Sequence, residues 1–292
     1  MKNLINYYYG LNVDNYKKSN ESFIFNINNE KYEFSIFDGD LDNLYKNYSI
    51  VLNNNKYCHK IIFNKNQQIL TYYNNKPYIL LKKDINITKD IDLNEILNYN
   101  LPVYNVNDFN WKNFWKAKID YYEYQISQLA VKYEQIKESF SYYIGLSETA
   151  ISLLNFINTS EINYCISHKR INIKDKIDSL FNPINLVIDS RVRDVSEYIK
   201  MSYFNDQIEK LDIYTVIKKL NLNKTESILF FSRLLYPSYY FDMYDKIIQG
   251  KISEEKINNI IKKNNSYEMF LKKVYKYLNK EYKIPNIEWL NN

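Results

Sequence analysis

Glycine is the scarcest common residue in this chain, with four in 292 positions, Gly10, Gly39, Gly145 and Gly250. They stand far apart, which excludes a glycine-rich loop of the kind whose backbone N–H groups cradle phosphates. Cysteine is scarcer still. Cys58 and Cys165 are too few for a disulfide framework and fit a reducing compartment, with the cytoplasm as the expected location. No stretch reaches the roughly 18 uninterrupted apolar residues of a membrane-spanning helix. Asn, Tyr, Gly and Asp interrupt residues 1–16, so no signal peptide is expected there. Strong charge of one sign is also missing: the formal net charge is +5, and Lys alternates with Asp and Glu instead of forming a block. Nucleic acid is therefore not an expected partner. The 31 tyrosines beside many lysines would suit base stacking, yet no RNP-like, KH or zinc-finger spacing accompanies them, and aromatics in a chain of this size mostly fill a core.

What is present is ordinary globular material, 46% hydrophobic and 25% charged, in a 35.4 kDa chain long enough for two packed lobes. Between residues 22 and 83, extended runs at 23–27, 31–37, 60–63, 69–73 and 78–81 read as strands. The connecting segments Asn28-Asn29-Glu30-Lys31, Lys65-Asn66-Gln67-Gln68 and Asn74-Asn75-Lys76-Pro77 carry turn residues that accept left-handed backbone. Leu41, Leu44, Tyr45 and Tyr48 recur with helical rhythm between the second and third strands.

After Pro102 the period changes. Trp115, Ile119, Tyr122, Ile126, Leu129, Tyr133, Ile136 and Phe140 alternate spacings of four and three, one face of a long helix or of a helical hairpin. Packing within its own domain is the simpler use of that face; self-association through it is the alternative. Ser147 after Gly145 is read as the cap of a new helix through Ala150 and Leu153. An apolar run at 162–166 leads into Ser167-His168-Lys169-Arg170, a second at 185–188 leads into Asp189, and residues 192–277 read as chiefly helical, with breaks at Pro237 and Gly250.

Two strand-to-polar-loop junctions in this order, after a strand-rich half, have a counterpart. Through His168-Lys169-Arg170, Ile188-Asp189-Ser190-Arg191, Val192-Arg193-Asp194 and Arg233-Leu234-Leu235-Tyr236-Pro237-Ser238, the chain resembles the spore coat protein S and spore-coat-kinase-like branch of the aminoglycoside (choline kinase-like) phosphotransferase superfamily. The resemblance implies an α+β, bilobal protein-kinase-like fold, with a strand-rich N-terminal lobe over 1–100 and a helical C-terminal lobe over 101–292. It also implies association with the spore coat or sporulation in a bacterium.

Phosphoryl transfer needs a phosphate cradle, oxygen ligands for Mg²⁺ and a group that orients the attacking hydroxyl. Active relatives supply the last with His-Gly-Asp, followed after four intervening residues by a metal-binding Asn. Read from His168, the Asp becomes Arg170 and the Asn becomes Asp175. A guanidinium has no acceptor and stays protonated, so Arg170 cannot replace the carboxylate. Asp175 and Asp189 remain as candidate ligands for Mg²⁺ and ATP, with Asp178 an alternative register, and Asp194 is expected to anchor its own helix. The resemblance also calls for a Lys on the third strand paired with a Glu on the following helix. Residues 34–94 contain no Glu, and only Lys31 begins the candidate strand; an Asp such as Asp42 could replace the Glu, with a shorter arm.

Other candidates have plain structural uses. His168 and Cys165 suit a hydrogen-bonded core histidine and an inert core thiol better than an acid–base group and a nucleophile, and His59 reads as an exposed turn residue. Lys169, Arg170, Lys174, Lys176, Arg191 and Arg193 are either paired with Asp175, Asp178, Asp189 and Asp194 or form an anion site, with Lys169, Arg170, Arg191 and Arg193 at its centre. Three functional readings follow. In the first, the chain is a catalytically degraded kinase-like scaffold with a protein partner. In the second, it is an atypical ATP-dependent phosphotransferase acting on an alcohol group, its metal site rebuilt from Asp175, Asp178 and Asp189. In the third, the helical stripe is an assembly surface.

Overall fold

The computed structural model describes residues 1–19, 22–83, 89–106, 110–129 and 132–291. The chain divides into two compact units, one of Met1–Leu101 with Cys165–Ile188, the other of Pro102–Tyr164 with Asp189–Asn292.

The first unit opens with α1 (Lys2–Tyr9), which the polar, tyrosine-rich sequence did not announce; it ends at Gly10, whose left-handed φ of 69° lets its N–H return to the Asn6 carbonyl. There follow β1 (Lys17–Ser19), β2 (Ser22–Ile27), β3 (Glu30–Ile36), α2 (Leu41–Asn53), β4 (Lys60–Ile62), β5 (Leu70–Tyr73), β6 (Lys76–Lys83) and α3 (Leu93–Tyr99). The strands form one antiparallel sheet ordered β1-β2-β3-β6-β4, with β5 also on β6. Asparagine does the work of glycine in its hairpins. Asn28 and Asn29 (φ 49° and 65°) turn β2 into β3, and Asn74 and Asn75 (φ 50° and 61°) turn β5 into β6. Two successive positive φ values match the right-handed twist of the strands. Asp40 caps α2 by accepting from the N–H groups of Asp42 and Asn43.

Both faces of this sheet are covered, so its central strand β6 is a continuous buried run, Tyr78–Ile79–Leu80–Leu81, not an alternation. Tyr78 and Leu80 join Phe23, Phe25, Tyr32, Phe34 and Ile5 on one face. Ile79 and Leu81 join Phe37, Leu44, Ile61 and Ile69 on the other. Each such side chain contributes about 1.5–3 kcal/mol by leaving water.

The second unit contains β7 (Pro102–Val103), α4 (Trp111–Leu129), α5 (Glu134–Leu153), α6 (Arg193–Phe204), α7 (Ile213–Leu220), α8 (Lys224–Leu235), α9 (Ser238–Ile248), α10 (Asn258–Ile261), α11 (Asn264–Tyr282) and α12 (Glu288–Asn291). The chain passes between units along β8 (Tyr164–His168) and again along β9 (Leu186–Ser190). The helical stripe is a hairpin of α4 and α5, because Tyr133 leaves helical geometry (φ −129°, ψ 91°). Its aromatics pack inward: Trp115 stacks on Tyr236 at 4.5 Å between ring centroids, Tyr122 on Phe241 at 4.4 Å and Tyr143 on Tyr240 at 3.6 Å. One expectation is corrected here. Ser147 caps nothing; α5 runs straight through Gly145, and the Ser147 hydroxyl bonds back to the Tyr143 carbonyl at 2.8 Å. Among the described residues no helix is long and apolar enough to cross a membrane.

Candidate functional site

In the first unit, β8 delivers His168 into the core, where 2% of its surface is exposed. Its Nε2 lies 3.0 Å from the Leu180 carbonyl oxygen, which requires that nitrogen to carry the proton, and its ring lies 5.5 Å from Tyr99. This is a positioned structural histidine. Lys169 donates its backbone N–H to Asn185 O (2.7 Å) and its ammonium to Ile184 O (2.9 Å). The Asn185 side chain clasps the Arg170 backbone, accepting from its N–H at 3.0 Å and donating to its carbonyl at 2.7 Å. The Arg170 side chain is exposed, and its Nη1 donates to Lys169 O at 3.0 Å. The loop is thus built to hold its shape with Arg170 in it.

Further along that loop, Asp175 accepts from Asn172 Nδ2 at 3.2 Å, and partial desolvation together with the Asp178 carboxylate raises its pKa. Lys174 is exposed, and Lys176 pairs with Asp90 at 2.5 Å. Asp178 faces Lys83, 3.5 Å away, and Lys83 makes a tighter pair with Glu33 at 2.6 Å. Ser35 adds a 2.8 Å bond to Glu33. Burial pushes the Glu33 pKa up, but Lys83 outweighs it and holds the carboxyl below its ordinary range. The first unit therefore has a lysine–glutamate pair that sequence reasoning missed, with the carboxylate on β3 and the lysine at the end of β6. Lys31 is the second residue of β3, and Asp42 lies in the first turn of α2.

His59 is not the exposed turn residue expected of it. It is fully buried, with its Nδ1 3.5 Å from the Tyr57 hydroxyl and its ring edge-on to Phe181. Burial, then the charge of Lys83, lowers its pKa to about 4 against the pull of Asp178 and Glu33. Cys165 is buried 3.2 Å from the Ser167 hydroxyl, and Cys58 donates to Phe181 O at 3.1 Å, its thiol pushed up to about 12 by burial. Neither has the environment of a nucleophile.

The second unit is organised around Asp189, which is 2% exposed. Oδ1 accepts from Trp111 Nε1 (3.1 Å), Ser190 N (2.6 Å), the Ser190 hydroxyl (3.2 Å) and Arg233 Nη2; Oδ2 accepts from Arg193 Nη1 (2.6 Å). The Arg233 guanidinium lies 5.9 and 5.8 Å from the ring centroids of Trp111 and Trp115. Burial alone would raise the Asp189 pKa, but Arg233 and Arg193 outweigh it, so the carboxylate is held ionised. Arg191 is a separate clamp: it donates Nε and Nη2 to Glu226 (2.7 and 2.6 Å) and Nη1 to Leu220 O. Asp194 is buried in the first turn of α6. Nearly two turns on, buried Lys200 binds Glu197 (2.7 Å), Tyr236 O (3.1 Å) and the Ser238 hydroxyl (2.7 Å). The segment Arg233–Ser238 thus earns its sequence pattern by meeting both charge clusters.

The fold implied by the sequence ordinarily takes ATP with Mg²⁺, and these residues do not fit the metal. Two guanidiniums, those of Arg193 and Arg233, pair with Asp189, and a cation would have to enter against their charge. Asp178 already faces Lys83. Among the described residues no group of three His, Cys, Asp or Glu side chains could hold a metal ion. The basic cluster is likewise divided by its own partners, Arg191 being clamped on Glu226 and Arg193 on Asp189.

Comparison with known proteins gives the relationship. The family described as "Spore coat putative kinase YutH" matches residues 2–274. The chain belongs to this family. Among relatives of the YutH family member described here, the endospore coat-associated protein YutH of Bacillus subtilis is 26% identical over 211 residues. That match covers 62% of this chain and 61% of the relative's length. An aminoglycoside phosphotransferase from Alicyclobacillus acidocaldarius superposes with a TM-score of 0.61 over 96% of both chains at 8% identity. The AMP-bound spectinomycin phosphotransferase gives 0.55, covering 88% of this chain and 92% of its own, at 12% identity. The YutH-family chain accordingly has the kinase-like fold of the aminoglycoside phosphotransferases, strand-rich at its N-terminus and helical beyond.

Proposed function

We propose that this chain is a kinase-fold scaffold associated with the spore coat, working through a protein partner and not through phosphoryl transfer. The observation that carries the reading is Asp189, the position of the family's metal-binding aspartate, bonded instead to Arg193 and Arg233. Arg170 agrees with it. A side chain with donors only stands where the attacking hydroxyl needs an acceptor. The YutH relative's description as endospore coat-associated supports the location.

The runner-up, an atypical phosphotransferase with a metal site rebuilt from Asp175, Asp178 and Asp189, needs carboxylates that the chain has already engaged: Asp178 with Lys83, and Asp189 with two arginines. The deciding assay is phosphate release from ATP by the purified protein, with Mg²⁺ or Mn²⁺ and a panel of small alcohols and coat-protein extract. The expected rate is that of buffer. Metal-dependent turnover that disappears in a folded Asp189→Asn variant would refute the scaffold reading and establish the enzyme.

A further inference from the structure

Gly145 is unexplained by the fold. It lies within the 20-residue helix α5, where glycine is destabilising relative to alanine. Its φ is not in the left-handed region that favours glycine, and a Cβ built on it would meet nothing within 4 Å. Neither backbone geometry nor packing asks for glycine there. Gly145 lines a groove of about 350 Å³ together with Tyr142, Leu146 and Thr149 of α5, Glu268 of α11 and Trp289 of α12.

The walls have a specific chemistry. Trp289 is 38% exposed, whereas Trp111 and Trp115, the only other tryptophans, are 1% and 5% exposed. The Tyr142 hydroxyl is buried beside the Glu268 carboxylate. Burial and the neighbouring Glu268 carboxylate both disfavour its ionisation, so it keeps its proton and a free acceptor lone pair. Two aromatic rings, one carboxylate and a side-chain-sized gap suit a cation on an alkyl stem. Ring faces attract an ammonium, the carboxylate neutralises it, and the methylenes lie over the gap at Gly145 and Leu146.

We propose that this groove is a binding site for an alkylammonium group, supplied by a lysine side chain of a partner protein or by a free diamine. It lies wholly in the second unit and stands whether or not the chain transfers phosphate.

Trp289 is the tryptophan nearest to solvent, so its emission reports on the groove. The probes are Nα-acetyl-lysine methylamide and cadaverine, with Nα-acetyl-norleucine methylamide as the uncharged control. Both amines should give a saturable change that the control does not. Glu268→Gln and Gly145→Leu should each weaken it by roughly tenfold or more. Gly145→Ala, which adds one methyl to open space, should raise the melting temperature and serves as the folded reference. Tighter binding of the lysine probe points to a protein ligand, and tighter binding of cadaverine to a free amine; either supports the site. Absence of a saturable change with both amines, equal response to the norleucine control, or wild-type affinity in folded Glu268→Gln would overturn it.

Discussion

Asp189→Ala should lower the stability of this protein by about 3–5 kcal/mol, the range observed when one member of a buried ion pair is removed. The carboxylate is 2% exposed and answers two guanidiniums, those of Arg193 and Arg233. Deleting it leaves Arg233, itself 3% exposed, with an uncompensated charge between two tryptophans. The bond from the Trp111 indole N–H to Oδ1 is lost as well. At 2–4 °C per kcal/mol for domains of this class, the melting temperature falls by roughly 10 °C. Arg233→Met should do similar harm for the converse reason. Asp189→Leu combined with Arg233→Met should recover part of the loss, since two apolar groups replace a pair whose desolvation was costly. The direction is informative. An aspartate kept for catalysis is commonly a site of stored instability, and its removal is neutral or stabilising. A thermal or urea melt in which Asp189→Ala changes stability by less than about 1 kcal/mol would mean that the arginine cluster is not a structural hub.

His59→Gln should flatten the acid limb of the stability profile. The folded pKa of His59 is about 4, below the ordinary 6.5, through burial and then Lys83, with Asp178 and Glu33 facing it and pulling the other way. Because the unfolded chain takes up the proton first, this contribution is complete above pH 6.5. It declines as pH falls and is gone below about pH 4. The gap of about 2.5 units is worth about 3 kcal/mol at most, at 1.36 kcal/mol per unit. Glu33, whose folded pKa is lowered, adds a loss of the same sign centred at lower pH. The two are separable. Urea melts between pH 7 and pH 4 should show a steep wild-type decline and a shallow one in His59→Gln. Parallel declines in both proteins would assign the acid sensitivity to the carboxylates alone.

The parts of the fold that were legible in the sequence are those that local chemistry dictates. Asn28-Asn29 and Asn74-Asn75 announce their turns because asparagine tolerates positive φ, and both pairs adopt it. The four-and-three rhythm from Trp115 to Phe140 marks the buried face of α4 and α5. It does not mark the break at Tyr133, since the two helices continue the rhythm across their turn. Ser147 misled because a serine after glycine looks like a cap when nothing shows that the helix began eleven residues before Gly145. In the candidate site, Arg170 was readable from its position alone. The lysine–glutamate pair was not: Glu33 and Lys83 meet through the antiparallel pairing of β3 and β6, and no local spacing encodes that register. Asp189 and Arg193 stand four apart and were foreseeable as a pair. Trp111 and Arg233 arrive from α4 and α8, and their convergence on one carboxylate is a property of the packed unit.

The central claim is that the chain's own arginines hold the place of a metal-bound nucleotide at Asp189. It is tested most directly by thermal-shift titration with ATP, with and without Mg²⁺, on wild type and on folded Asp189→Asn. The account predicts no magnesium-dependent rise in melting temperature at any ATP concentration up to several millimolar. A rise of the size that ligand linkage gives for a useful affinity, about 2.7 kcal/mol at a hundredfold excess over Kd, that requires magnesium and is lost in Asp189→Asn would contradict it.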